Sequence, residues 1–313
     1  MMSFNVPHSN VRIQPETRIV PGTVSQPTPT NVPGTSVSPS VPARGAVKHA
    51  MSIDVEDWYH CLDHEPSNWH KYEHRIVDCT RTVLDIFART DTRATFFILG
   101  VIAEREPKLV EEIRSAGHEI ASHGTEHRFV YNQTPEQFEQ DVQRSVDTLR
   151  AITGEPVIGY RAPFFSITKN SLWALPILKR LGFKYDSSVH PVYNPRYGIP
   201  DAPRLPYTTD QGLEELPIST YPVGRLNFPF AGGIYFRAFP WMMLRPMFRA
   251  LDSRNEPIMF YLHPWELDPD HPRIPLPAFL KARHYYKLDK TAAKLEKLCR
   301  TFRFGTISEV INA

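Results

Sequence analysis

The stretch Gly117–His127, G-H-E-I-A-S-H-G-T-E-H, decides how the rest of the chain is understood. His118 to Ala121 forms a short apolar run with strand character, and it leads straight into His123 and His127, four residues apart. Two imidazoles at that spacing reach one point in space if the backbone between them turns helically, because positions i and i+4 share a face. A divalent metal ion is the natural occupant of that point. Two surface histidines beside Glu126 would look the same in isolation, so the neighbouring segments have to decide.

Upstream, Pro107 to Ala116 has helical periodicity and is closed by Gly117, a left-handed stop. Before it lie a buried strand, R-A-T-F-F-I-L-G (Arg93–Gly100), and a helix over Arg75 to Arg89. Order begins at Ala46 with A-V-K-H-A-M-S-I-D-V-E, a strand with acids at its C-terminal end. Downstream, a Thr134-Pro135-Glu136 cap starts a helix that runs to about Ile152. V-I-G-Y-R-A-P (strand), Thr168 to Leu181 (helix) and F-K-Y-D-S-S (strand) follow. After an irregular section over His190 to Gly212 come the short strand E-L-P-I-S and a helix over Trp241 to Leu251. The strand P-I-M-F-Y-L-H (Pro257–His263), a helix over Arg283 to Cys299 and the last strand F-R-F-G-T-I complete the alternation. Strands alternating with helices predict an α/β fold with a parallel sheet, open or closed into a barrel.

The composition narrows the function. In 313 residues, 36 basic side chains face 34 acidic ones, so there is no global field to attract nucleic acid or an anionic membrane. No run of about 18 apolar residues suggests a spanning helix. Phe228 to Leu244 comes nearest, and its Arg237, prolines and paired glycines suit a packed or groove-lining segment. Cys61, Cys79 and Cys299 are too few and too scattered for a disulfide framework. With no basic and apolar leader visible, a cytoplasmic protein is expected. Residues 1–45, rich in Pro, Ser and Thr, are expected to be a disordered tail without a binding role. The ordered domain is expected over 46–313, with 264–313 as a C-terminal extension packed on it.

Asp54, Glu56, His123, Arg161, Asp186 and His263 each stand at the C-terminal end of a predicted strand. That edge is where active sites form in α/β sheets and barrels. A catalytic zinc-type centre wants about three protein ligands and an open position for water. The histidine pair supplies two, and D-V-E-D at the first strand can supply a carboxylate. The strand period puts Asp54 and Glu56 on one face, which favours Glu56 as the third ligand, with Asp57 as the alternative.

On these residues the chain resembles the NodB-homology polysaccharide deacetylases, carbohydrate esterase family 4. H-G-T-E-H is similar to that family's His-(Ser/Thr)-x-x-His metal motif, with Gly124 in the Ser/Thr place. R-A-P-F (Arg161–Phe164), Y-D-S-S (Tyr185–Ser188) and L-H-P (Leu262–Pro264) resemble its later motifs, in the family's order. S-I-D-V-E-D-W stands where T-F-D-D-G is common, and the fourth motif lacks its frequent tryptophan. The strings S-I-D-V-E-D-W, G-G-I-Y-F-R and L-H-P-W-E-L-D-P-D-H-P-R resemble the exosortase-associated subgroup, linked to exopolysaccharide biosynthesis.

The resemblance implies a distorted (β/α)7-type barrel of mostly parallel strands in a single catalytic domain. It implies a hydrolase that removes N-acetyl groups from N-acetylhexosamine units of a polysaccharide or its lipid-linked precursor. One divalent ion, zinc first and cobalt, nickel or iron as alternatives, would be held by His123, His127 and Glu56. Asp54 would be the general base, Arg161 its orienting partner, His263 the general acid and Asp186 the carboxylate that orients the acid. The Phe164 backbone N–H would be an oxyanion donor, and Tyr235 and Trp265 would bind substrate. The partner expected is an N-acetylated glycan, with peripheral contact to a polysaccharide assembly complex. Two other functions compete: a small-amide, allantoinase-like hydrolase of the same fold, and a non-catalytic carbohydrate-binding protein.

Overall fold

Strand β1, His49–Val55, is buried along its whole length, as a strand must be when both faces of its sheet are covered. In the computed structural model, which describes residues 49–194 and 196–312, it is the strand on which the others are hung. The expected tail over 1–45 lies outside the described residues, as do the first residues of the strand predicted from Ala46. Next in the chain come α1 (Ile76–Thr90), β2 (Thr95–Ile98), α2 (Gly100–Arg105), α3 (Pro107–Ser115) and β3 (Glu119–Ser122). Helix α4 (Pro135–Thr153) leads to β4 (Gly159–Tyr160), then α5 (Ala174–Arg180) to β5 (Tyr185–Asp186). The second half holds β6 (Tyr207–Thr208), β7 (Glu214–Glu215) and the hairpin β8 (Thr220–Val223) with β9 (Leu226–Pro229). Helices α6 (Gly233–Ala238) and α7 (Trp241–Ser253), strand β10 (Met259–Leu262), helices α8 (Ala278–Tyr285) and α9 (Leu288–Thr301), β11 (Phe304–Gly305) and α10 (Ile307–Ile311) complete it.

The sheet runs β10-β1-β2-β3-β4-β5-β7-β6, with β11 also paired to β1. Its pairings are parallel except for β6 with β7. The ladder therefore has two free ends, and the sheet is a curled half-barrel. Residues 216–219 bridge the gap as loop: the Leu216 N–H donates to the Asp186 carbonyl (2.9 Å) and the Ser219 N–H to that of Met259 (3.1 Å). The α/β fold and the mostly parallel strands predicted above are present. The barrel is completed by single backbone bonds instead of a continuous ladder.

Alternation along β1 separates core from site. Met51, Ile53 and Val55 join the outer core with Val83, Phe87 and Ile102, each fully buried apolar side chain contributing roughly 1.5–3 kcal/mol. Ala50 packs inside the curl with Phe97, Ala121, Tyr185 and Leu216. Ser52 and Asp54 share its face and carry the interior up to the sheet's C-terminal edge.

Several elements depart from expectation. The helix predicted over Thr168–Leu181 begins only at Ala174, because the Ser171 hydroxyl takes the Thr168 N–H (2.8 Å) and holds a turn. The helix predicted over Arg283–Cys299 is two helices, broken where Lys287 adopts φ 53°. Helix α2 and the β8–β9 hairpin had no clear sequence signal. Among the described residues no helix is long and apolar enough to cross a membrane, and the three cysteines are free thiols.

Candidate active site

The site residues arrive from the C-terminal edges of β1, β3, β4 and β10, as their strand-end positions predict. His123 follows β3 directly, but no helical turn separates it from His127. Gly124 (φ 72°) and His127 (φ 52°) are both left-handed, and the loop between them folds the two rings together. Asp141, on α4, pins that loop by accepting from the Thr125 N–H (2.8 Å) and the Glu126 N–H (3.2 Å). A Cβ on Gly124 would stand 2.8 Å from the Asp141 carboxylate, which gives a physical reason for glycine here. Asp141 was not visible as a site residue in the sequence, since its role depends on how α4 packs.

Both imidazoles converge on one carboxylate oxygen. His123 Nε2 lies 3.0 Å and His127 Nε2 2.9 Å from Glu56 Oε1. His123 Nδ1 lies 2.8 Å from the Arg161 carbonyl oxygen. A carbonyl only accepts, so Nδ1 carries the hydrogen and Nε2 is turned to the carboxylate. A ring nitrogen and a carboxylate oxygen at that distance need a proton or a cation between them. Two imidazoles and one carboxylate, all buried with their ligand atoms within 4.8 Å of one another, fit a divalent cation.

Asp57 does not take part. Its carboxylate accepts from the Arg75 N–H (3.0 Å) at the start of α1 and from the Trp58 N–H (3.1 Å). Burial pushes its pKa up to about 6. Glu56 instead is held well below the usual range: burial would raise it, but the charges of His127 and His263 and the histidine hydrogen bonds outweigh burial. Glu56→Gln is expected to lower the affinity for added zinc at least tenfold. Asp57→Asn should keep one metal equivalent while losing part of the α1 cap. Metal content after dialysis checks both, and the opposite ranking would assign the ligand to Asp57.

Arg161 is wholly buried and fully bonded. Its Nη1 donates to Asp54 Oδ1 (2.7 Å) and Ser52 Oγ (2.8 Å), Nε to the Ser187 carbonyl (3.0 Å), and Nη2 to Ser187 Oγ (2.9 Å). Its guanidinium lies 4.1 Å from the Phe97 ring centroid. This cage leaves the guanidinium a single orientation, with Asp54 as its carboxylate partner.

His263 Nε2 faces Asp54 Oδ2 at 3.9 Å and Glu56 Oε1 at 3.7 Å. Its Nδ1 is bonded to Glu266 Oε1 at 2.8 Å, so the carboxylate beside His263 is Glu266 and not Asp186. Burial would depress the imidazole, yet the charges of Glu56, Glu266 and Asp54 and the Glu266 hydrogen bond raise it to about 9. Glu266 is fixed in turn by Arg237, whose Nε donates to Oε2 at 2.5 Å. The remaining Arg237 donors go to the carbonyls of Arg283 (3.1 Å), His284 (3.0 Å) and Tyr286 (2.8 Å) at the end of α8. These bonds hold the chain where the predicted single helix breaks. One signal for Glu266 was present: H-P-W-E has the N-cap-to-N3 spacing of a capping box, and the Glu266 carboxylate does accept the His263 N–H (3.2 Å).

Asp186 belongs to a separate buried pair. Its Oδ1 accepts from Ser188 Oγ (2.5 Å), and across the β5–β7 register it faces Glu215. Burial first, and then Asp186's own charge, raise the Glu215 pKa well above the usual range, so Glu215 keeps a proton and donates it to Asp186. Both pKa values are raised, so the folded state binds more protons than the unfolded one. The stability this lends is complete below the unfolded carboxylate value of about 4 and declines as pH rises through the raised values. Glu215→Gln keeps a donor and removes that titration. Its melting temperature is expected to fall less than the wild type's between about pH 5 and pH 8, by thermal unfolding at matched salt; parallel curves would contradict the shared proton.

The pocket above these groups is lined by Phe164, Tyr197, Tyr235 and Trp265, among others. Phe164 adopts φ 57°, its ring centroid lies 4.2 Å from that of His127, and among the described residues its N–H has no protein acceptor. Trp265 stacks on His263 at 5.7 Å between centroids. Tyr235 comes from α6, which begins at Gly232-Gly233; glycine is required there because Gly232 pairs with Tyr261 and a Cβ would strike the Tyr261 backbone oxygen.

Parts of the chain are similar to known proteins. Residues 56–185 match the family model described as Polysaccharide deacetylase. That stretch is similar to polysaccharide deacetylases over rather less than half of the chain. Residues 187–312 match a second model, described as a domain of unknown function, DUF3473. The boundary between the matches falls inside one sheet, since Tyr185 of β5, at the end of the first, pairs with Glu214 of β7 in the second. A peptidoglycan deacetylase of Helicobacter pylori is 34% identical over 37% of this chain and 39% of its own length. A Gibberella zeae peptidoglycan deacetylase-like protein is 31% identical over 47% of this chain and 45% of its own. A chitooligosaccharide deacetylase from a Bradyrhizobium strain is 25% identical over 38% and 52%. The chain thus spans about two-fifths to one-half of the curated relatives it matches. A solved Mycobacterium smegmatis structure, provisionally named a polysaccharide deacetylase, shares the fold at TM-score 0.60 and 19% identity, over 88% of this chain and 94% of that one.

Proposed function

We propose that the protein is a metal-dependent hydrolase that removes N-acetyl groups from N-acetylhexosamine units of a polysaccharide or of its lipid-linked precursor. The observation that carries this is the Glu56–His123–His127 cluster standing beside two separately oriented proton-transfer groups, Asp54 and His263, with Glu56, Asp54 and His263 lining one pocket. A metal ion held by the cluster would polarise the acetamide carbonyl and acidify a water molecule.

The chain's own groups divide the remaining work. Asp54, oriented by the Arg161 hydrogen bond, takes the proton of the attacking water. The free Phe164 N–H is a donor for the oxyanion as the acetyl carbon becomes tetrahedral. The departing amine is too basic to leave as an anion and takes a proton from His263 Nε2, whose charge is supported by Glu266 at Nδ1. Glu266 fills the role first expected of Asp186. Trp265 and Tyr235, on the pocket wall, flank the sugar ring.

The resemblance of S-I-D-V-E-D-W, G-G-I-Y-F-R and L-H-P-W-E-L-D-P-D-H-P-R to the exosortase-associated subgroup supports a role in exopolysaccharide biosynthesis. The test is acetate release by zinc-, cobalt- or nickel-loaded protein from N-acetylated oligosaccharides and from a lipid-linked N-acetylhexosamine. Release only from small cyclic or linear amides would move the protein to the allantoinase-like alternative. Release from nothing, with glycan binding retained, would leave a carbohydrate-binding protein.

A further inference from the structure

We propose that the sugar taken by this pocket carries or adjoins an anionic group, a carboxylate or a phosphate, received by Arg196 and Arg283. The proposal deepens the deacetylase reading and rests on it. Every acid in the pocket wall is already paired: Asp54 with Arg161 at 2.7 Å, Glu56 with the two histidines, and Glu266 with Arg237 at 2.5 Å. Arg196 and Arg283 line the same pocket from its exposed side. Among the described residues neither guanidinium has a carboxylate partner. Elsewhere on the surface Arg81, Arg144 and Arg180 each grip a glutamate through two nitrogens.

Both arginines are mounted on anchored backbone. The Arg283 carbonyl is tied to Arg237 at 3.1 Å at the end of α8. The Arg196 N–H donates to Asn194 Oδ1 (2.9 Å) in a loop closed by the Ile199 N–H on the His190 carbonyl (2.9 Å). Tyr197 lies within the field of both guanidinia: burial raises its phenol to about 12, while Arg283 and Arg196 pull it down. Tyr197 is also hydrogen-bonded to Tyr235, and both phenols line the pocket with both arginines. An unpaired guanidinium at a cleft mouth offers a bidentate site for carboxylate or phosphate oxygens. Its charge, focused by the low-dielectric walls, also speeds capture of an anionic ligand. A neutral chitin-like chain would leave both charges idle.

The test uses the metal-loaded full chain with three substrates of equal length: a neutral N-acetylglucosamine oligomer, an N-acetylated oligomer containing uronate residues, and an N-acetylhexosamine linked to a diphosphate. At least a tenfold higher kcat/KM is expected for one of the anionic substrates, lost in the Arg196→Gln/Arg283→Gln variant and suppressed by salt. Turnover of the neutral oligomer should change less than twofold in that variant. Preference for the uronate or for the diphosphate names the source of the anion. Equal kcat/KM for neutral and anionic substrates would overturn the proposal. Calorimetric binding to the Asp54→Asn protein separates the two claims: a preference for anionic oligomers that needs both arginines supports this site even without turnover. No such preference, with acetate still released by the wild type, sinks the arginine site alone.

Discussion

Asp54→Asn is expected to lower kcat for acetate release by about 10²- to 10⁴-fold, the range that a general base supplies, with the fold intact. Asparagine keeps an oxygen for the Arg161 Nη1 donor, and Arg161 retains its bonds to Ser52 and to Ser187. Lost are the basicity needed to take a proton from water and the negative charge opposite a buried cation. Metal content should be unchanged, because the proposed ligands are Glu56, His123 and His127. Initial rates on an N-acetylated oligosaccharide, with metal analysis on the same samples, check this. Activity within tenfold of the wild type would remove Asp54 from the base role.

Arg237→Met is expected to destabilise the protein by roughly 3–5 kcal/mol, the usual cost of removing one partner from a buried ion pair. Arg237 is 2% exposed and Glu266 1%. The substitution leaves Glu266 with His263 as its remaining charged partner and strips three backbone carbonyls of their donor. Two places should feel it together. The end of α8 loosens, and His263 loses the fixed carboxylate that orients its ring. Arg237→Lys should recover only part of the stability, since an ammonium cannot span four acceptors with a fixed fork. Chemical denaturation of wild type and both variants gives the comparison. A methionine variant within about 1 kcal/mol of the wild type would contradict the pairing.

Much of this geometry lies close to the surface of the sequence. Apolar runs bounded by Gly117 and Gly182, and a Thr-Pro-Glu cap, marked the strand and helix alternation. The six polar residues predicted at strand ends lie at the C-terminal ends of their strands. Glu56 was favoured over Asp57 by period-two geometry alone, and it is the acid that faces the histidines. The helical path between His123 and His127 was wrong for a local reason: Gly124 allows a left-handed bend, and spacing cannot say which way a glycine turns. The carboxylate beside His263 was sought on another strand, at Asp186, when it lay three residues away at Glu266. Arg237 could not be paired with it from spacing, because 29 residues separate them and only packing brings them together.

The sequence by itself determined the main parallel strands, though not β6 or the β8–β9 hairpin, and which chemistry gathers at their C-terminal edge. These follow from hydrophobic period and strand polarity, both written in neighbouring residues. Only the tertiary structure decided that the sheet stops short of a closed ring, that Asp186 shares a buried proton with Glu215, and that Glu266 and Arg237 stand behind His263. Those outcomes depend on which charges burial forces together, since a buried ion persists only where the fold supplies its partner.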